Sequence, residues 1–210
     1  MQRMLSVLSL FGLGLVVSSA AMAADGFGKL PVDKSGGSNG LLMRIVKYEG
    51  NTNGAITVDI RNPLPTPQAF SAKGVYFVPE SHADQAPQRL GAVGPFQVHG
   101  QVHDKAGPRP RVEHMIIAPG ATQRLTLDVY CIDSHRASPD SNTTFRVARS
   151  KLPDSLTREI SADAERSAAA YGGVSAAAAK PAVQSEVWKN RDKKWIELDG
   201  EGRQEVGKRR

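Results

Sequence analysis

Residues 122–133, TQRLTLDVYCID, alternate apolar and polar side chains with a period of two. Because successive side chains of a β-strand point to opposite faces, this pattern predicts a strand with one buried face. The predicted buried face carries Leu125, Leu127, Val129 and Cys131. The opposite face carries Arg124, Thr126, Asp128 and Tyr130. A single strand is not stable without partners, so the flanking sequence decides the fold class.

Runs with the same strand character lie on both sides of this stretch. The clearest is residues 55–62, AITVDIRN, in which Ile56, Val58 and Ile60 share one face. The other runs are residues 41–49, 74–79, 89–99, 111–120 and 143–149. About seven short strands within about 110 residues, separated by Gly, Pro and Asn clusters, are typical of an antiparallel β-sandwich. The sequence therefore predicts a mainly β fold, an Ig-like sandwich over residues 41–150.

Residues 151–198 differ in character and predict a helical appendage packed on the sandwich. In the first half, Pro153 precedes apolar residues that recur at helical spacing, and Gly172-Gly173 ends the run. These apolar residues are Leu156, Ile160, Ala164 and Tyr171. In the second half, Pro181 suits the first turn of another helix. The apolar side of this second helix carries Val183, Val187, Trp188 and Trp195.

The two ends of the chain predict segments outside the folded unit. Residues 1–23 combine a positive charge, an apolar run and a small-residue end, which is the order of a secretory signal peptide. The apolar run is shorter than the about 20 residues that span a bilayer. Residues 24–40 predict a flexible leader and residues 199–210 a polar tail. We therefore expect a secreted or periplasmic protein, with association at the cell surface as one option and no transmembrane segment after signal removal.

The net charge of +6 allows anionic partners such as envelope polysaccharide, lipid or nucleic acid. The basic residues concentrate in residues 189–194 and 207–210, a pattern typical of a solvated helix face and a tail. Aromatic residues do not interleave with them as a base-stacking platform requires, so nucleic acid is not expected. A surface protein or a polysaccharide is the expected partner. The oligomeric state stays open.

Cys131 is the only cysteine of the chain. Secreted proteins meet oxidising conditions, in which cysteines usually pair. A single cysteine forms no internal disulfide, so three roles stay open: a buried inert thiol, a disulfide to another chain, or other chemistry. The inward position predicted for Cys131 suits an inert thiol, since free cysteine behaves as a small hydrophobe.

Two short motifs resemble those of the thioester domains of secreted bacterial surface proteins. Residues 130–133, YCID, are similar to the aromatic-Cys-apolar-Asp/Asn motif of that family. Residues 183–188, VQSEVW, are similar to its Thr-Gln-x-Ala-apolar-Trp motif, with departures at Val183 and Glu186. A third motif of the family has no clear counterpart. The resemblance covers residues 125–188.

The resemblance implies that Cys131 condenses with Gln184 to form an internal thioester. An amine, such as a lysine side chain of a partner, would then displace the sulfur and leave an amide bond. The function implied is single-use covalent attachment without enzymatic turnover. The residues that would support this site are Tyr130, Asp133, His135 and Trp188. Glu186, in place of a small residue, would put a carboxylate beside the acyl carbon.

The alternative is a non-covalent β-sandwich module with an inert Cys131, either a carbohydrate binder or a subunit of an extracellular assembly. A cysteine hydrolase is disfavoured, because the sequence signatures around a nucleophilic cysteine are absent. His99 and His103, four residues apart on a segment interrupted by Gly100, are weak candidate metal ligands. Exposed loop histidines without a metal are commoner, so neither a metal nor a cofactor is expected.

Overall fold

The computed structural model describes residues 26–31, 40–81, 86–100, 111–193 and 196–199. The predicted signal peptide, most of the predicted leader and the tail beyond Asp199 lie outside these residues. The strands are β1 (Gly28–Lys29), β2 (Leu42–Tyr48), β3 (Ala55–Arg61), β4 (Gln68–Phe70), β5 (Tyr76–Pro79), β6 (Leu90–Ala92), β7 (Phe96–Val98), β8 (Arg111–Val112), β9 (Met115–Ile117), β10 (Thr122–Cys131) and β11 (Phe145–Val147). The helices are α1 (Asp154–Ala168) and α2 (Lys180–Lys193), with 3₁₀ turns at Ala169–Tyr171 and Ala177–Ala179.

Nine of the described strands form one antiparallel sheet that nearly closes on itself. Its order is β1-β2-β3-β10-β6-β5-β11, and β7 pairs with both β10 and β8. The other two described strands, β4 and β9, pair only with each other. The predicted class, mainly antiparallel β with C-terminal helices, is confirmed. The Ig-like arrangement of two packed sheets is not confirmed, because the main strands belong to one continuous sheet.

The alternating stretch forms β10, which lies at the centre of this sheet. One edge of β10 pairs with β3, in a register that sets Leu125 opposite Val58. The other edge pairs with β7 and then with β6, in a register that sets Cys131 opposite Leu90. The side chains predicted to point inward are all fully buried: Leu125, Leu127, Val129 and Cys131. The period of two therefore identified the inward face of the central strand.

The inward faces of the strands enclose the main hydrophobic core, here called the inner cluster. It contains Ile56, Val58 and Ile60 of β3, each with no exposed surface. Its other members include Phe70, Phe77, Phe96, Leu125, Cys131 and Phe145. Full burial of one aliphatic or aromatic side chain contributes about 1.5–3 kcal/mol. The inner cluster is therefore the largest source of stability in the sheet.

The two helices cover the outer face of one end of the sheet and form a second core, here called the outer cluster. α1 contributes Leu156 and Ile160, and α2 contributes Val183 and Val187. They pack against outward side chains of the sheet and the residue that follows β10, which are Tyr76, Val78, Tyr130 and Ile132. Tyr130, which the alternation assigns to the polar face, is therefore fully buried under the helices.

The apolar spacing of the first helix extends further than the helix itself. The chain tightens into a 3₁₀ turn, and Gly172 ends it with a left-handed φ of 89°, a conformation that glycine adopts without steric cost. Tyr171 is consequently 50% exposed, and Ala168 takes the last buried position. Trp188 is half-buried, and Trp195 lies outside the described residues. Neither described helix is long and apolar enough to cross a bilayer.

The outer face at the other end of the sheet is polar. Arg44, Asp59 and Arg124 lie side by side on neighbouring strands, and both guanidinium groups bind the Asp59 carboxylate at 2.7 Å. The Arg124 hydrogen bond is the main reason why the pKa of Asp59 lies below its usual value, although burial opposes the shift. Charged side chains are costly to bury under an apolar helix face. In the described residues, no helix covers this end of the sheet.

Gly50 offers a test of the turn between β2 and β3. It has a φ of 74°, and an added Cβ would lie 2.8 Å from the backbone nitrogen of Ser141. We expect Gly50→Ala to lower the free energy of unfolding by about 2–3 kcal/mol in urea titrations, because both backbone strain and a backbone contact must be relieved. Gly120→Ala is the matched control, since its φ is 70° and no atom lies within 4 Å of an added Cβ. Its expected loss is only about 1 kcal/mol, and equal losses at both positions would contradict a role for the Ser141 contact.

Candidate functional site

Cys131 is the last residue of β10 and has no exposed surface. Its side chain belongs to the inner cluster, together with Leu90, Val129 and Phe145. The residues on either side of it, Tyr130 and Ile132, belong to the outer cluster under the helices. The thiol therefore points into the sheet interior.

Gln184 of α2 makes two hydrogen bonds to the backbone of Cys131. The Cys131 N–H donates to Oε1 of Gln184 at 3.0 Å, and Nε2 of Gln184 donates to the Cys131 carbonyl oxygen at 2.7 Å. Because β3 pairs with β10 only as far as Asp128, the carboxamide continues the ladder as a neighbouring peptide group would. Gln184 is only 4% exposed. The structure thus brings the two predicted residues together through the main chain of Cys131.

The turn between β2 and β3 closes the site from another direction. The Cys131 N–H also lies 3.0 Å from the carbonyl oxygen of Thr52, and the Val129 N–H donates to Gly54. The hydroxyl of Thr52 lies 3.0 Å from that of Ser138, in the loop after β10. Together with α2, these segments shield the Gln184 carboxamide from bulk water.

The surroundings of the thiol suppress its ionisation. Burial raises the pKa of the Cys131 thiol to about 12, and the negative charge of Asp133 adds to the shift. The pKa of Tyr48 is also raised, mainly by burial and, to a smaller degree, by a charge on Cys131. Because the thiolate is the strong nucleophile, the thiol at neutral pH is unreactive toward reagents in solution.

Asp133 forms a buried ion pair with Arg89. Oδ1 of Asp133 lies 2.5 Å from one terminal nitrogen of Arg89, and Oδ2 lies 2.8 Å from Nε. Both side chains have no exposed surface. Burial acts to raise the pKa of Asp133, but the hydrogen bonds and charge of Arg89 outweigh it and hold the pKa below its usual value. The carboxylate is therefore ionised and directed at Arg89.

The two other polar residues of the predicted site lie apart from the thiol. Tyr130 faces the helices, and its buried hydroxyl has no hydrogen-bond partner among the described residues. His135 is exposed in the turn after β10. The neighbouring Ser134 hydroxyl donates to Asp192 of α2 at 2.7 Å, which ties this turn to the helix.

Trp188 follows Gln184 by one helical turn and packs against the inner cluster. Its Nε1 donates to Oε1 of Gln88 at 3.0 Å. Glu186 lies between them in sequence, and its carboxylate binds Lys189 at 3.1 Å. The sequence predicted the Glu186 carboxylate beside the acyl carbon. In the structure this carboxylate points along α2 to Lys189.

Of the two weak metal candidates, His99 lies in the described residues. Nε2 of His99 lies 2.7 Å from Oγ1 of Thr126, whereas His103 lies outside the described residues. Within the described ranges, no group of three or more His, Cys, Asp or Glu side chains is placed to hold a metal ion.

Sequence reasoning missed three residues that hold the site: Thr52, Gln88 and Arg89. Arg89 is the largest fully buried side chain among the described residues. It also donates to the carbonyl oxygen of Asp199 at 3.2 Å. One signal for Arg89 was present, since an arginine that opens an apolar run needs a buried carboxylate if it enters the core. Nothing in the local sequence pointed to Thr52 or Gln88.

No protein-family model, curated protein or solved structure matches this chain.

Proposed function

We propose that this chain is a secreted or periplasmic binding protein that attaches covalently to amine groups through a thioester between Cys131 and Gln184. The observation that carries the proposal is the position of the Gln184 carboxamide, hydrogen-bonded to both backbone groups of Cys131. This contact joins the two motifs that resemble those of thioester domains, 53 positions apart. A lysine-bearing surface protein is the partner that this chemistry favours, because lysine supplies a primary amine.

The bond-forming step balances without a cofactor. The Cys131 sulfur attacks the Gln184 side-chain carbonyl carbon, the C–N bond breaks, and the thiol proton leaves with the amide nitrogen as ammonia. In the second step a partner amine attacks the same carbon, the C–S bond breaks, and the sulfur regains a proton. The products are an amide and a free thiol, so each molecule reacts once.

The backbone of Cys131 supplies the groups that such a step needs. Its N–H points at Oε1, the oxygen on which negative charge develops during attack, as an oxyanion-hole donor does. Its carbonyl oxygen holds the nitrogen that must leave. The burial of both residues slows hydrolysis of the acyl group, because water is excluded from the site.

Intact-mass spectrometry of the secreted protein tests the proposal. We expect a mass about 17 Da below that of the processed sequence, the mass of one ammonia. Methylamine should remove the deficit and leave a molecule about 14 Da heavier than the sequence, with one alkylatable thiol. Cys131→Ala and Gln184→Ala should both lack the deficit, whereas Ser185→Ala, an exposed change on the same helix, should keep it. A wild-type mass equal to the sequence value, with Cys131 alkylated after denaturation, would overturn the proposal.

A second candidate is favoured by the high pKa of the Cys131 thiol. A pKa of about 12, caused mainly by burial, suits an inert core cysteine in a non-covalent module such as a carbohydrate binder or an assembly subunit. In that function Gln184 serves only to fasten α2 to β10. The mass measurement separates the two candidates, since this module has no deficit.

A further inference from the structure

Among the described strands, the sheet does not close between the edge that β1 and β2 form and the edge of β11, and this gap is here called the seam. At one end, the rings of Tyr48 and Phe145 meet edge to face with centroids 5.1 Å apart. The rest of the seam holds a cavity of about 850 Å³. Its walls include apolar side chains of both strands and of the segments beside β1, among them Leu30, Met43, Ile45, Phe145 and Val147.

β11 presents a free backbone edge to this cavity. It pairs only with β5 among the described strands. Toward β5, the Thr144 carbonyl accepts from Glu80 and the Ala148 N–H donates to Tyr76. Because backbone groups alternate in direction along a strand, Phe145 and Val147 direct their N–H and C=O groups away from β5 and toward the seam.

β2 presents a shorter backbone edge across the cavity, because β1 covers part of it. The Leu41 carbonyl accepts from the Leu30 N–H, so the same alternation directs Met43 and Ile45 to the side away from β3. β1 pairs with β2 through Met43 and Leu42 only. Ile45, which follows the paired stretch, therefore faces the cavity with its backbone groups. The edge of β11 and the short part of β2 beyond β1 flank one gap, which matches an extended chain, because such a chain offers N–H and C=O groups along both sides.

The charged side chains on the seam walls favour one kind of extended chain over others. Lys29 and Arg149 are exposed on the cavity wall, whereas Arg146 is paired with Asp199 at 2.7 Å. Glu80 is the acidic residue among the described lining. The unneutralised charge of the lining is thus positive, and it complements carboxylates on a bound chain.

We propose that the seam binds an extended segment of a partner polypeptide that carries apolar side chains and carboxylates, as an added strand that pairs with β11 and faces Ile45 of β2 beyond the end of β1. The apolar side chains would enter the cavity at every second position, and the carboxylates would meet Lys29 and Arg149. Cys131 takes no part in this site, which consists of strand edges and charged side chains. It describes a non-covalent peptide-binding site.

A synthetic peptide of alternating valine and threonine that ends in two aspartates is the probe. We expect it to bind the whole protein and to slow hydrogen exchange at the amides of Ile45, Phe145 and Val147. The same peptide ending in two lysines, and an aspartate version N-methylated at alternate residues, should bind at least about tenfold more weakly. Lys29→Glu should reduce the preference for aspartate over lysine.

Val147→Pro is the critical variant. It removes an N–H that points into the seam and none of the bonds to β5, and strand edges tolerate proline. We expect it to lose peptide binding while its melting temperature stays near that of Val147→Thr, the matched control that keeps the N–H. If Val147→Pro does not fold, the N-methylated peptide performs the same test on the wild-type protein.

Three results would overturn the proposal. The first is the absence of binding at millimolar peptide, and the second is equal binding of the N-methylated and unmodified peptides. The third is slow exchange at Phe145 and Val147 in the peptide-free protein, which would mean that another part of this chain or a second copy already fills the seam.

Discussion

Replacing Asp133 by asparagine should destabilise the protein by about 3–5 kcal/mol, measured by urea unfolding at pH 7. Asp133 and Arg89 have no exposed surface. Asp133→Asn removes the negative charge and leaves the guanidinium group buried without its counter-ion. Few single substitutions cost as much, because most lose only packing or one hydrogen bond.

Asp192→Asn is the matched control, because it makes the same change at an exposed carboxylate that binds Ser134. Its expected cost is below about 1 kcal/mol.

Acid titration gives a second readout. The pKa of Asp133 is lowered in the folded state, so its stabilisation is present above about pH 4, near the unfolded value, and is lost as the pH falls below it. Asp133→Asn should therefore lose less stability than the wild type between pH 5 and pH 3. A cost equal to that of Asp192→Asn would contradict the buried ion pair.

Replacing Gln184 by leucine should destabilise the protein by about 2–4 kcal/mol. The change keeps a buried side chain of similar length but removes both hydrogen bonds to Cys131. The Cys131 carbonyl oxygen would lose the Gln184 donor inside the protein. Its N–H would keep only the Thr52 carbonyl, 3.0 Å away.

A double-mutant cycle separates these hydrogen bonds from any covalent bond at the same place. In a Cys131→Ala background no thioester forms, yet the backbone contacts of residue 131 remain. We expect Gln184→Leu to cost about 2–3 kcal/mol in this background as well, determined by urea unfolding. Ser185→Ala on the same helix should cost less than about 0.5 kcal/mol. If the cost of Gln184→Leu vanished in the Cys131→Ala background, the ladder-like role of the carboxamide would be wrong.

Much of the fold followed from periodicity, because burial of one strand face imposes a pattern on the sequence. Leu125, Leu127 and Val129 could be assigned to the core in this way, as could the helix that buries Leu156 and Ile160. The cover over Tyr130 could not, since it depends on where distant helices pack. The near closure of the sheet could not either, because strand order leaves no local signature.

The candidate site was predictable in its members more than in its geometry. The two motifs pointed to Cys131 and Gln184. A motif gives the identity of a side chain, but it does not give the direction in which that side chain points. Whether the carboxamide meets the thiol or the backbone is decided by the position of α2 on the sheet. Arg89 and Asp133 are 44 positions apart, and their pairing depends on the register between β6 and the end of β10.

The hydrogen bonds that join Gln184 to β10 also have a mechanical consequence. β10 has neighbours on both of its edges, β3 on one side and β7 and β6 on the other. In the proposed amide product the partner is bonded to Gln184 of α2 and the Cys131 thiol is free, so a pull on the partner would act on α2 and on its hydrogen bonds to this central strand. A tether at an edge strand such as β11 would peel away one hydrogen bond at a time. The helix that carries Gln184 is thus fastened to a strand that cannot be extracted without breaking two ladders together.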